Sequence, residues 1–128
     1  MEGRAGRMRI LITGGAGFIG THFLRGWMNT QPEGSVVNLD RLTYAGSRKR
    51  LSDLEKRSGY RFIRGDVADP KAVRRALDGV EAVVHFAAET HVDRSITDAA
   101  PFLRTNGEGT AVVLEAARAA QVPKVLHI

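Results

Sequence analysis

The chain contains no cysteine, which removes disulfides, thiolate zinc sites and a cysteine nucleophile together and fits a reducing, cytoplasmic setting. Aromatic residues make up 6% of it. They are too sparse, and too little interleaved with basic residues, to form a stacking platform for single-stranded nucleic acid. No apolar run approaches the roughly eighteen residues that a membrane span needs. The charged N-terminus, Glu2 to Arg7, leads into no apolar block with a small-residue cleavage site, so no secretory signal is read there. The four histidines, His22, His85, His91 and His127, show no metal-ligand spacing, and neither G-x-S-x-G nor H-E-x-x-H occurs. Internal repeats, linkers and low-complexity segments are also missing.

What is present reads as one domain. A chain of 128 residues can bury roughly two-thirds of its unfolded surface. Its 43% apolar and 26% charged content sit near globular averages. Residues 1–7 are expected to be a flexible extension and residues 8–128 the domain. The net charge of +5 is uneven, with eleven Lys or Arg against four Asp or Glu between Arg41 and Arg75. Solvated helix faces explain that excess better than a nucleic-acid surface, so neither nucleic acid nor membrane is an expected partner.

The densest signal lies at Arg9 to Gly20: an apolar run, a glycine-rich turn and the start of an amphipathic segment. Gly14, Gly17 and Gly20 are spaced three apart, and Gly15, Gly17 and Gly20 satisfy G-x-G-x-x-G. Such a strand, turn and helix offers phosphates an approach to bare backbone and the positive end of a helix. Asp40 lies twenty residues past Gly20, at the end of a second strand, Ser35 to Asp40. An acid there accepts hydrogen bonds from adenosine ribose hydroxyls and repels a 2′-phosphate, favouring NAD over NADP. Arg41 beside it partly shields that charge.

The remaining pattern alternates strands and helices. Ile19, Phe23 and Trp27, with Leu24 and Met28, predict a one-sided helix. Ser47 to Arg57 reads as a polar helix buried along Leu51 and Leu54, and Tyr60 to Arg64 as a third strand. Asp69-Pro70 is a helix start, with Val73, Ala76 and Leu77 facing inward and Gly79 closing it. The fourth strand runs from Ala82 to Ala88, apolar on both faces, with His85 as a satisfied core residue. Ala87 and Ala88 at its end would let a flat cofactor lie close. A long helix is expected from Asp98 to about Ala120, its Gly107 and Gly109 implying close approach to another backbone. A fifth strand opens at Val125. Right-handed βαβ units of this kind give an α/β fold, a Rossmann-type doubly wound parallel sheet of order 3-2-1-4-5, truncated after strand five.

Several segments together resemble the extended short-chain dehydrogenase/reductases, and among them the dTDP-glucose 4,6-dehydratases. They are Thr13 to Gly20, Leu39 to Gly46, Gly65-Asp66-Val67, His85 to Ile96, Thr105-Asn106 and Gly109-Thr110. The match covers essentially Met8 to Ile128. The resemblance implies an NAD-dependent lyase of deoxysugar biosynthesis, acting on a dTDP-hexose by hydride transfer, loss of water and return of the hydride. It implies a homodimer as full-length protein. It places Gly14, Gly17, Phe18, Ile19 and Gly20 at the pyrophosphate, and Asp40, Arg41, Leu42 and Thr43 at the adenosine ribose. Asp66 and Val67 would flank the adenine. Phe86, Ala87, Ala88, Glu89 and Thr90 would line the nicotinamide side, Thr105 would close the pocket, and Thr90 would also touch the sugar.

The family's Ser/Thr-Thr-Asp-Glu segment and its Tyr-x-x-x-Lys pair do not occur in these 128 residues. No catalytic residue is therefore assigned here, and the chain reads as a cofactor-binding portion that is inactive alone. The alternatives are another nucleotide-sugar epimerase or decarboxylase of the family, and a non-catalytic NAD-binding module.

Overall fold

The computed structural model describes residues 7–42, 48–87 and 104–128. Period-two alternation of side chains builds the sheet. Strands β1 (Arg9–Thr13), β2 (Ser35–Asp40), β3 (Tyr60–Arg64), β4 (Ala82–His85) and β5 (Lys124–His127) are all parallel, in the order β3-β2-β1-β4-β5. This is the expected order, with helices on both faces as parallel sheets require.

Alternation also sorts the core into two halves. Leu11, Val37, Leu39, Ile63 and Val83 point to one face, where they pack with Val73 and Ala76 of helix α2 (Pro70–Ala76) and Val113 and Ala117 of helix α3 (Thr110–Ala119). Ile10, Ile12, Val36 and Val84 point to the other, against Leu24 and Met28 of helix α1 (Phe18–Thr30) and against Leu51 and Leu54. Helix α1 thus buries the row Gly20, Leu24, Met28, with Phe23 and Trp27 half-buried beside it. Ile19, expected to share that face, is 63% exposed, because it lies in the first turn, past the end of the sheet.

Three further expectations are corrected. The helix read over Ser47 to Arg57 is a short 3-10 helix, Arg48–Leu51, followed by hydrogen-bonded turns up to Arg57, with Ser47 outside the described residues. Leu51 and Leu54 are buried as expected, but a spacing of three suits a 3-10 turn as well as an α-helix. The fourth strand stops at His85 because its neighbour β1 stops at Thr13, the last residue in register with it. Of the long helix, residues 98–103 lie outside the described part. Arg104–Gly109 forms a π-helical turn that leads into α3. Gly107 faces open space, with nothing within 4 Å of a Cβ placed there. Its glycine accompanies the wide turn and not a close backbone.

Strand β5 lies at the sheet edge with all four residues exposed. No helix among the described residues is long and apolar enough to cross a membrane.

Asp69 caps α2 as its sequence predicts: the carboxylate accepts from the Lys71 N–H at 3.0 Å, and Pro70 occupies the first turn. Asp69→Ala should lower unfolding free energy by about 1 kcal/mol. Urea titration should show a lower midpoint with an unchanged slope, and an unchanged midpoint would remove the cap from the helix's stability.

Candidate functional site

The carboxyl ends of β1, β2 and β4 converge on the glycine turn, where open α/β sheets place ligands. Gly14 leaves β1 with φ +74°, and a Cβ on it would fall 2.7 Å from the Ala87 nitrogen. Only glycine lets the turn cross this close to the end of β4. At Gly20 a Cβ would lie 2.2 Å from the Gly14 carbonyl oxygen, so the first turn of α1 sits directly on the loop.

The backbone donors of the turn are held from below. The Gly14 N–H donates to the Leu39 carbonyl at 2.9 Å and the Gly17 N–H to the Gly14 carbonyl at 3.1 Å. The Gly15 N–H donates to Asn38 Oδ1 at 3.0 Å and the Ala16 N–H to Asp40 Oδ2 at 2.9 Å. Helix α1 then starts at Gly17 with no side-chain cap and no acidic residue in its first turn. Its first N–H groups, on Phe18, Ile19 and Gly20, have no intrahelical acceptor, and no other acceptor for them occurs among the described residues. An uncapped positive helix end over bare backbone fits a phosphate group. The turn therefore offers the free donors and the positive helix end that a phosphate group requires.

Asp40 is 9% exposed, and both its oxygens are engaged, Oδ1 accepting from the Leu42 N–H at 2.8 Å. Leu42 adopts φ +59°, a left-handed conformation costly for a side chain of this kind. Asp40 holds that strained residue and the turn together. Arg41 pairs with Asp66 at 3.4 Å on a partly exposed surface, a weak contact.

The other expected site residues fall into groups. Phe18 and Ile19 carry side chains that are 72% and 63% exposed, so their backbones and not their side chains face the turn. Val67 is buried in the core with Val73 and Ile63, leaving its backbone to border any adenine. Phe86 is half-buried against Phe23, ring centroids 5.4 Å apart, and Ala87 borders Gly14. Thr43, Ala88, Glu89 and Thr90 lie outside the described residues, as does the side chain of Thr105.

Asn38 and Arg50 entered the site without a motif to announce them, and Thr13 and His85, which open two of the matching segments, had been given no role at the site. Asn38 is a polar residue inside an apolar strand, two positions before Asp40 and so on its face of the sheet. Arg50 reaches from the 3-10 helix to the Ala16 carbonyl at 3.0 Å. Thr13 joins His85 in a buried chain: the Ala87 N–H donates to Thr13 Oγ1 at 3.2 Å, Thr13 Oγ1 lies 2.6 Å from His85 Nδ1, and His85 Nε2 lies 3.1 Å from Thr110 Oγ1. Each group is used once if the Thr13 hydroxyl donates to Nδ1 and the Nε2–H donates to Thr110.

Burial, together with the charge of neighbouring His127, pushes His85 down to about 4. The unfolded histidine titrates near 6.5. The neutral ring is thus the native form, and its contribution is complete above pH ~6.5 and lost as pH falls toward about 4, a change on the order of 3 kcal/mol. Denaturation midpoints of the wild type should drop across that window, and the drop should shrink in His85→Gln. Parallel curves for the two proteins would exclude His85 as its source.

The chain is 50% identical over 125 residues to a dTDP-glucose 4,6-dehydratase of Streptomyces niveus, covering 94% of this chain and 37% of that protein. It is 51% identical over 113 residues to dTDP-glucose 4,6-dehydratase 1 of Escherichia coli K12, covering 87% and 31%. Among solved structures, a double mutant of the dTDP-glucose 4,6-dehydratase of Streptomyces venezuelae, with NAD bound, matches with a TM-score of 0.86 at 48% identity, over 92% of this chain and 38% of that one. The chain therefore spans between 31% and 38% of the length of these relatives. Residues 10–128 match the NAD dependent epimerase/dehydratase family, and with the parallel sheet, the glycine turn and Asp40 in place, the chain belongs to that family.

Proposed function

We propose that this chain binds NAD and forms the cofactor-binding part of a dTDP-glucose 4,6-dehydratase. The observation that carries the reading is the uncapped start of α1, three N–H groups wide, seated beside the Asp40 carboxylate. Near-half identity to dehydratases along most of the chain supports the substrate class. In this reading the Phe18, Ile19 and Gly20 N–H groups bind the pyrophosphate and Asp40 accepts from the adenosine ribose. Arg41, Leu42 and Thr43 border that ribose, and Asp66 and Val67 border the adenine. Phe86 to Thr90 line the nicotinamide side, with Thr90 reaching the sugar and Thr105 closing the pocket. Bound NAD supplies the hydride acceptor and donor of the reaction. The full-length protein is read as a cytoplasmic homodimer.

What these residues do is bind, orient and exclude water; the proton chemistry needs other groups. Tyr60 is 8% exposed and bonded to Asn38, so it is not placed to take a proton from a sugar. Tyr44 is outside the described residues.

Asp40→Ala removes charge-assisted hydrogen bonds worth about 1.5–3 kcal/mol. That corresponds to roughly ten- to a hundred-fold weaker NAD binding, read by titration calorimetry. Unchanged affinity would take Asp40 out of the site. The same chain, incubated with NAD and dTDP-glucose, should bind the cofactor without accumulating a 4-keto-6-deoxy sugar. Steady product formation would show that the acid and base lie within these residues after all.

A further inference from the structure

We propose that Asn38 is a positioning residue for dinucleotide binding: by taking the Gly15 N–H it decides which donors of the turn are left to face the phosphates. The inference rests on the reading that this turn holds NAD.

Asn38 is 0% exposed in the middle of β2, and both ends of its amide are in use. Oδ1 accepts from the Gly15 N–H at 3.0 Å, while the Nδ2–H donates to the Tyr60 hydroxyl at 3.1 Å. The Gly15 donor settles which end is oxygen. A Cβ on Gly15 would come 2.4 Å from Oδ1 and 2.7 Å from Cγ. The second glycine of the Gly14-Gly15 pair is thus imposed by Asn38 from inside the protein and not by a ligand from outside. The Gly15 carbonyl is held as well, by the Thr21 hydroxyl at 3.0 Å.

The consequence concerns the other donors. Leu39, Asn38, Asp40 and Gly14 take the N–H groups of Gly14, Gly15, Ala16 and Gly17 in turn, so every donor of the loop itself is committed. The Phe18, Ile19 and Gly20 N–H groups remain, all at the start of α1. A pyrophosphate is thereby directed onto the helix end, where the dipole favours it. Without Asn38, the Gly15 N–H is a buried donor with no acceptor. The loop must then rotate that peptide outward to find one, which moves the Gly15 carbonyl away from Thr21 and shifts the neighbouring helix start.

The test compares NAD, ADP and adenosine as ligands of the chain. ADP carries the pyrophosphate, whereas adenosine carries only the ribose and base that Asp40 serves. Asn38→Leu keeps the branched shape, at a somewhat larger volume, and removes the acceptor, and NAD and ADP should bind at least about tenfold more weakly. Adenosine, followed by NMR titration, should hold within about twofold. Asn38→Asp restores an oxygen toward Gly15, with the Tyr60 hydroxyl turned to donate to the other oxygen, and should recover most of the ADP affinity. Equal loss of all three ligands in both variants would make Asn38 an ordinary core residue and overturn the proposal. Wild-type ADP affinity in a folded Asn38→Leu would overturn it too. Should Asn38→Leu not fold, Gly15→Ala displaces the amide from the other side and should show the same selective loss; undiminished ADP binding there would equally refute it. A wild-type chain that binds no NAD would overturn the cofactor reading itself, an outcome distinct from wild-type binding that Asn38→Leu leaves intact.

Discussion

Gly14 crosses tightly over the end of β4, where a single added carbon would sit 2.7 Å from the Ala87 nitrogen. Much of the site follows from that crossing. It brings the turn between the ends of β2 and β4. It also lets the Gly14 N–H reach the Leu39 carbonyl and sets α1 on the loop with its first N–H groups directed outward. The sheet supplies the rigidity: β1 is paired on both sides, by β2 and β4, and its apolar residues are buried on both faces.

Around this crossing the interior is polar where most of it is apolar. Thr13, Asn38, Asp40 and His85 are all buried, and they sit at or near the carboxyl ends of three neighbouring strands. Buried polar groups are tolerable only when paired, and each of these has hydrogen-bond partners on a different element. Asn38 and Asp40 fasten β2 to the turn; Thr13 and His85 fasten β1 to β4 and, through Thr110, to α3. These bonds hold a loop in one shape before any ligand arrives, which reduces the ordering that binding would otherwise require.

Charge acts at a coarser level. The basic excess of the middle of the chain is spread over exposed positions of β3, α2 and the turns near Leu51, such as Arg61, Arg64, Arg74 and Lys49. Two arginines are different. Arg25 bonds both Asp53 and the Arg50 carbonyl, and Arg50 in turn bonds the Ala16 carbonyl. A line of side chains thus ties the outer face of α1 to the glycine turn.

Much of the fold could be read from residue order. Ser35–Asp40 and Tyr60–Arg64 are strands with the expected bounds, because alternation or an apolar run between breakers has few other solutions. Asp69-Pro70 starts a helix for the local reason that a cap acts within one turn. Glycine spacing, and an acid twenty residues beyond it, pointed to a dinucleotide turn from short-range geometry alone. Where reading by pattern failed, a neighbour had decided: β4 ends where β1 ends, Ile19 is exposed because the sheet does not extend beneath it, and Leu51 and Leu54 are equally well buried by a 3-10 turn. The roles of Asn38, Thr13 and His85 were also decided by tertiary structure. Each bonds to a partner between 22 and 74 residues away, and no local pattern specifies what a side chain meets across a sheet. Sequence by itself determined the parallel α/β order and the glycine turn, since both follow from short-range periodicity and backbone freedom. Only the folded chain decided which donors of that turn are already taken, because that depends on where β2 and β4 end in space.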